Sequence, residues 1–112
     1  MKEIRAYIKT HKLPDLTSAL RAIAGLTGMT VLECHGFGAG WGATEANRGS
    51  DALDSRKGVK VEICCREDLA EEVVAAIRNA AHTGLKGDGK IYVADITHAV
   101  RISTGEKGES AV

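Results

Sequence analysis

Val59-Lys60-Val61-Glu62-Ile63-Cys64-Cys65, then Arg66, then Glu67-Asp68-Leu69-Ala70-Glu71-Glu72-Val73-Val74-Ala75-Ala76-Ile77-Arg78-Asn79-Ala80-Ala81-His82 is the stretch in which the hydrophobic period changes from two to that of a helix. In the first piece Val59, Val61, Ile63 and Cys65 alternate with Lys60, Glu62 and Cys64, which predicts a half-buried strand. In the second, Leu69, Val73 and Ile77 form one row with Ala70, Val74 and Ala81 beside it, which predicts a helix over 67–82. Glu67, Asp68, Glu71 and Glu72 stand at the positive end of its dipole and Arg78 towards the other.

Working outward, Glu3-Ile4-Arg5-Ala6-Tyr7-Ile8-Lys9 alternates with Ile4, Ala6 and Ile8 on one face, a first strand. Pro14 and Asp15 open a helix carrying Leu16, Ala19, Leu20 and Ile23, with Gly25 as its stop. Met29 to His35 predicts a second strand and Ile91 to Ile96 a fourth; Ala99 to Ser103 could add a short fifth. The order strand–helix–strand–strand–helix–strand predicts an α+β fold, the ferredoxin-like βαββαβ sandwich, with one antiparallel sheet and both helices on one face. The other face carries Leu32, Tyr92, Ala94 and Ile96, which predicts oligomerisation through it.

The whole chain of 112 residues reads as one domain. Fifteen Lys+Arg balance fifteen Asp+Glu, so no uniform field exists to hold a nucleic-acid backbone or an acidic membrane. One Trp, two Tyr and one Phe are too few for stacking of single-stranded bases. No apolar run reaches transmembrane length and no secretory leader stands at the start. Cys34, Cys64 and Cys65 lack C-x-x-C spacing and suit a reducing, cytoplasmic compartment.

Gly36 to Lys57, about 22 residues, separates the second and third strands, where a hairpin needs about 2–5. It holds Gly36, Gly38, Gly40, Gly42 and Gly49, the single Trp41, and a polar set that includes Arg48 and Ser50. Such a stretch is either a functional loop or an insertion without a role, and its glycine-patterned base favours function. Residues 104–112 read as a polar tail.

Thr83-Gly84-Leu85-Lys86-Gly87-Asp88-Gly89-Lys90 links the second helix to the fourth strand. Its glycines let backbone N–H groups converge on an anion, with Lys86 and Lys90 adding charge. It is not a P-loop, because Lys90 is followed by Ile91 and a strand. By itself such a segment is either a phosphate cradle or an ordinary turn. Glu62 either faces solvent or accepts from ribose hydroxyls. A hairpin of strands two and three places Cys34 near Lys60 and Cys64 near Thr30, about 13 Å apart, too far for a shared metal. His11, His35, His82 and His98 are scattered, and neither a metal set nor a catalytic triad or acid pair has diagnostic spacing.

Taken in order, these pieces resemble the P-II family of nitrogen-regulatory signal-transduction proteins over nearly the whole chain. The matching stretches are Met1-Lys2-Glu3-Ile4 with Ile8-Lys9, Thr27-Gly28-Met29-Thr30-Val31, Gly36-Phe37-Gly38, Thr44-Glu45 with Arg48-Gly49, and Val59-Lys60-Val61-Glu62-Ile63. Thr83-Gly84, Gly87-Asp88-Gly89-Lys90-Ile91-Tyr92-Val93 and Arg101-Ile102 with Thr104-Gly105-Glu106 complete them. The resemblance implies a homotrimer that binds ATP or ADP in clefts between subunits. It implies that Gly87, Asp88, Gly89 and Lys90 hold phosphates together with Arg101, and that Glu62 takes the ribose. Thr30, Gly36, Phe37, Gly38 and Cys64 would surround the base and the root of the long loop. That loop, 36–57, would dock on a regulated partner: a transporter (a membrane protein), an enzyme or a transcription factor.

Several positions depart from the family pattern. Gly40 stands where the family usually has a glutamine that helps hold Mg²⁺ and 2-oxoglutarate, Gly58 replaces a lysine, and Ser103 an arginine. The tyrosine uridylylated in some members corresponds roughly to Ala52, while Ser50 resembles a phosphorylated site in others. The expectation is a non-enzymatic, nucleotide-responsive regulator with weakened oxoacid sensing. The alternatives are a divergent regulator of metal or other transport, and a small ATP-hydrolysing enzyme.

Overall fold

The computed structural model describes residues 1–38 and 57–112. Strand β1, Lys2–Ile8, is followed by a 3₁₀ turn at Thr10–Lys12 and helix α1, Leu13–Arg21. Strand β2 is Thr30–His35 and β3 is Lys57–Cys65. A 3₁₀ turn at Glu67–Leu69 leads into α2, Ala70–Ala81, and β4 is Lys90–Asp95. The strands form one antiparallel sheet in the order β2-β3-β1-β4. This is the α+β, ferredoxin-like arrangement that the alternation and helix periodicity predict.

The pleat explains the core. Ile4 of β1 lies opposite Ile63 and Val93, and Ala6 opposite Val61 and Ile91. Ile4, Ala6, Val61 and Ile63 are fully buried, and Leu16, Leu20, Val73 and Ile77 from the two helices close over them. The helices cover the central strands and not the edges: Val31 on β2 and Val93 on β4, on the helix side of the sheet, are 40% and 50% exposed. The opposite face carries Glu3, Arg5 and Tyr7 of β1 and Lys60, Glu62 and Cys64 of β3, flanked by Leu32 and Tyr92 on the edges. That face is more charged at its centre than the four apolar residues on the edges suggest.

β2 and β4 are each displaced by one residue from the expected Met29 start and Ile91–Ile96 span, and four further boundaries differ from the sequence-based expectation. Pro14 sits in the first turn of α1 but does not open it, because the preceding 3₁₀ turn runs into Leu13. Helix α1 ends at Arg21, four residues before Gly25, although Ile23 still packs into the core. The second helix begins as the 3₁₀ turn, where Arg66 Nε donates to Asp68 Oδ1 at 3.0 Å. The stretch between the second and third strands is 36–56, not 36–57, because Lys57 and Gly58 already pair with His35 and Cys34. Gly40, Trp41, Arg48, Ser50 and Ala52 lie outside the described residues.

Residues 99–103 form no strand. A single bridge joins Val100 to Lys107, and Gly105, at φ 73°, turns the chain between them. The tail is tied down by backbone bonds: Arg101 N donates to Glu106 O at 2.8 Å, Gly105 N to Arg101 O at 2.8 Å and Gly108 N to Ala99 O at 3.0 Å. A further 3₁₀ turn covers Glu109–Ala111. Among the described residues, no helix is long and apolar enough to cross a membrane.

Candidate functional site: a glycine turn at one end of the sheet

The turn from Thr83 to Lys90 is built around Asp88. Asp88 Oδ2 accepts from the backbone N–H groups of Thr83 at 2.8 Å and Gly84 at 3.1 Å. Asp88 Oδ1 accepts from the Thr83 hydroxyl and lies 3.2 Å from Lys9 Nζ. The Thr83 hydroxyl oxygen also accepts from Leu85 N and from Lys9 Nζ, each at 3.1 Å. These donors, the Thr83 hydroxyl first, hold the Asp88 carboxyl far below the ordinary carboxylate range, so it is charged at any working pH. Its side chain therefore faces the turn's own N–H groups, and only its backbone remains for an incoming anion.

Gly84, Gly87 and Gly89 have φ of 81°, 85° and 105°, which other residues adopt only with strain. Gly89 has a second constraint. A Cβ there would lie 1.6 Å from the Tyr7 carbonyl oxygen, so only glycine lets the turn rest on β1. A hollow of about 300 Å³ opens beside this contact, with Ile8, Ile77, Ala81 and Ile91 as an apolar wall and Arg78, His82 and Lys90 on its polar side. Sequence reasoning named Gly87, Asp88, Gly89 and Lys90 here but missed Lys9, Thr83, Arg78 and His82. A threonine five residues before an aspartate, across glycines, was a readable sign of a side chain bonding a turn. Lys9 gave no local sign, because only the fold brings it there.

The other site residues fall into two further places. Thr30 lies opposite Glu62, which lies opposite Arg5, on the face away from the helices. Glu62 Oε1 is 2.5 Å from Lys60 Nζ on the same strand. Cys64 is exposed on this face and Cys65 is buried on the other, as the pleat requires. Burial and then the carboxylates of Glu3 and Glu62 push the Cys64 thiol up, which leaves it a poor nucleophile near neutral pH. Cys34 pairs with Gly58, six residues from Cys64, so the two sulfurs are about 20 Å apart along the strand rather than 13 Å. Gly36, Phe37 and Gly38 follow β2, and the Phe37 ring is largely exposed.

Register sorts these groups by position. Tyr7 pairs with Lys90, and His35 pairs with Lys57, two residues before Val59, the partner of Ile8, so Gly36–Gly38 and Gly87–Lys90 share one end of the sheet. They flank opposite edges, about 14 Å apart at three strand spacings. Arg101 is at the other end. Its Nη2 donates to Ser110 O at 3.0 Å and its Nε lies 3.7 Å from Glu106 Oε2. The neighbouring Glu109 acts on the charge of Arg66, which follows the far end of β3. Lys90 opens β4 and Arg101 lies beyond its far end, and the strand's five steps span about 17 Å. One protomer does not bring them together.

The family profile described as "Nitrogen regulatory protein P-II" matches residues 1–106. A protein named "Nitrogen regulatory protein P-II" from Rhizobium meliloti (strain 1021) is 47% identical over the full length of both chains, and one of the same name from Azospirillum brasilense is 45% identical, again over the full length of both. "Nitrogen regulatory protein P-II 1" of Escherichia coli (strain K12) is 44% identical with the same complete coverage. These relatives carry the names of regulators, not of enzymes. The chain, with its βαββαβ sheet and its glycine turn against β1, belongs to the nitrogen regulatory protein P-II family.

Proposed function

We propose that the protein is an adenine-nucleotide-responsive signal-transduction regulator that acts as a homotrimer by docking on a partner protein, in keeping with relatives named for nitrogen regulation. The observation that carries this reading is the turn itself: glycines at positive φ, a charged lysine at its end, and an aspartate turned inward. The donor set suits phosphate, with backbone N–H groups and an ammonium. Glu62 and Thr30 supply acceptors suited to ribose on the open face, and Cys64, two residues along the same face, supplies apolar surface suited to a base, whereas Phe37 lies towards the end that carries the turn. The division of Lys90 from Arg101 supports a cleft shared by two copies, with Arg101 contributed across the interface. In this reading 36–56 is the partner-docking segment, and a transporter, an enzyme or a transcription factor is the class of partner.

Lys90→Ala tests the reading. A charge-assisted hydrogen bond contributes about 1.5–3 kcal/mol, so ATP or ADP affinity should fall roughly 10- to 150-fold with the assembly intact. Calorimetric titration with native and variant protein decides it. Equal affinity would show that Gly87–Lys90 is only a turn.

A further inference from the structure

The roles of Asp88, Thr83 and Lys9 rest on the nucleotide reading, which requires the turn to face an anion with a definite shape. A segment with glycines at 84, 87 and 89 has no such shape by itself, because glycine surrenders the most backbone freedom on ordering. Ordering it at the moment of binding would lower affinity. The structure shows where that order comes from. At the start of the turn, Asp88 gathers the N–H groups of Thr83 and Gly84, while the Thr83 hydroxyl receives Leu85 N. At its end, Gly89 lies against the Tyr7 carbonyl. Lys9, one residue beyond β1, reaches both Asp88 Oδ1 and Thr83 Oγ1 and so ties the two parts to the sheet.

We propose that Asp88, Thr83 and Lys9 are positioning residues that preset the turn for anion binding, and that the Asp88 carboxylate is a clamp on the protein rather than a ligand group. The arrangement also answers an electrostatic objection. A carboxylate within a phosphate cradle would repel its ligand, but here the charge is spent on two backbone N–H groups, a hydroxyl and an ammonium. Lys9, for the same reason, is engaged by Asp88 and is not a second phosphate-binding lysine. Lys86 and Lys90 then remain as the lysines of the turn itself, and Lys90 is the one that the nucleotide reading assigns to the anion. His82 Nδ1, 3.4 Å from Asp88 Oδ2, adds a further neighbour on the same oxygen.

The experiment compares native protein with Asp88→Asn, Thr83→Val, Thr83→Ser, Lys9→Met and Lys90→Ala. Two quantities are read: amide hydrogen exchange at Thr83 and Gly84 without nucleotide, and ATP affinity. In Asp88→Asn and Thr83→Val, exchange should rise and ATP affinity fall, each by about tenfold or more, the scale of a lost charge-assisted bond. Thr83→Ser keeps the hydroxyl and should restore both quantities to near native. Lys90→Ala should weaken ATP while leaving exchange at Thr83 and Gly84 unchanged, which separates ligand group from clamp. Native exchange in Asp88→Asn, or faster exchange with native ATP affinity, overturns the proposal. If Asp88→Asn does not fold, Thr83→Val and Lys9→Met decide the same question against Thr83→Ser. Failure of the native protein to bind millimolar ATP overturns the nucleotide reading instead, and the exchange measurements then decide the clamp alone.

Discussion

Cys64 shows how one position can carry two signs of its surroundings. Its alternation with Ile63 and Cys65 puts it on the open face, and Glu3 and Glu62 lie close enough there to oppose a thiolate. A raised thiol pKa leaves less thiolate at any pH below it than a free cysteine has. Alkylation of Cys64 at pH 7.5 should therefore be slower than that of glutathione, and should accelerate as the pH climbs past the ordinary thiol range. Cys65, buried in the core, should react only on unfolding. Mass spectrometry of iodoacetamide-treated protein gives both rates; a Cys64 rate equal to glutathione's at pH 7.5 contradicts the account. ATP should slow Cys64 further if the base lies where the resemblance puts it.

Among the elements, the strands were the most readable. Val59, Val61, Ile63 and Cys65 state their face in the sequence, and so do Ile4, Ala6 and Ile8, because each strand buries one side only. Helix ends were less readable, since the 3₁₀ turns before α1 and α2 bury no residue fully and neither they nor the helices carry a side-chain cap to mark them. The proposed fifth strand failed for a related reason: Val100 and Ile102 have strand propensity, but Gly105 folds the segment back on itself instead of onto the sheet. Two glycines give a comparison at this scale. Gly89→Ala puts a methyl group against the Tyr7 carbonyl at a positive φ and should cost at least about 2 kcal/mol, with a matching fall in Tm. Gly105→Ala also has a positive φ but open space around it and should cost about 1 kcal/mol. Thermal unfolding of both variants checks the order; equal losses would mean that the Gly89 contact is not rigid.

In the whole molecule, the helices stop short of the edge strands, and the site residues divide between the ends of the sheet. The proposed assembly would supply neighbours for both. Light scattering at micromolar concentration should give three times the chain mass, and a stable monomer would contradict the assembly proposed here. The identity of the turn residues was legible from Gly87-Asp88-Gly89-Lys90, but their division of labour was not: Asp88 and Lys90 are both charged, and only tertiary contacts turn one inward. Ile96 N donates to Met1 O, and Glu109 acts on Arg66, so both chain termini lie at the end of the sheet away from Phe37 and the glycine turn. A tag or surface tether on either terminus would leave the opposite end free. Immobilised that way, the protein would offer any binding partner in solution the end that carries Gly36–Gly38, and a sensor chip or fluorescent fusion could report on docking without obstructing it.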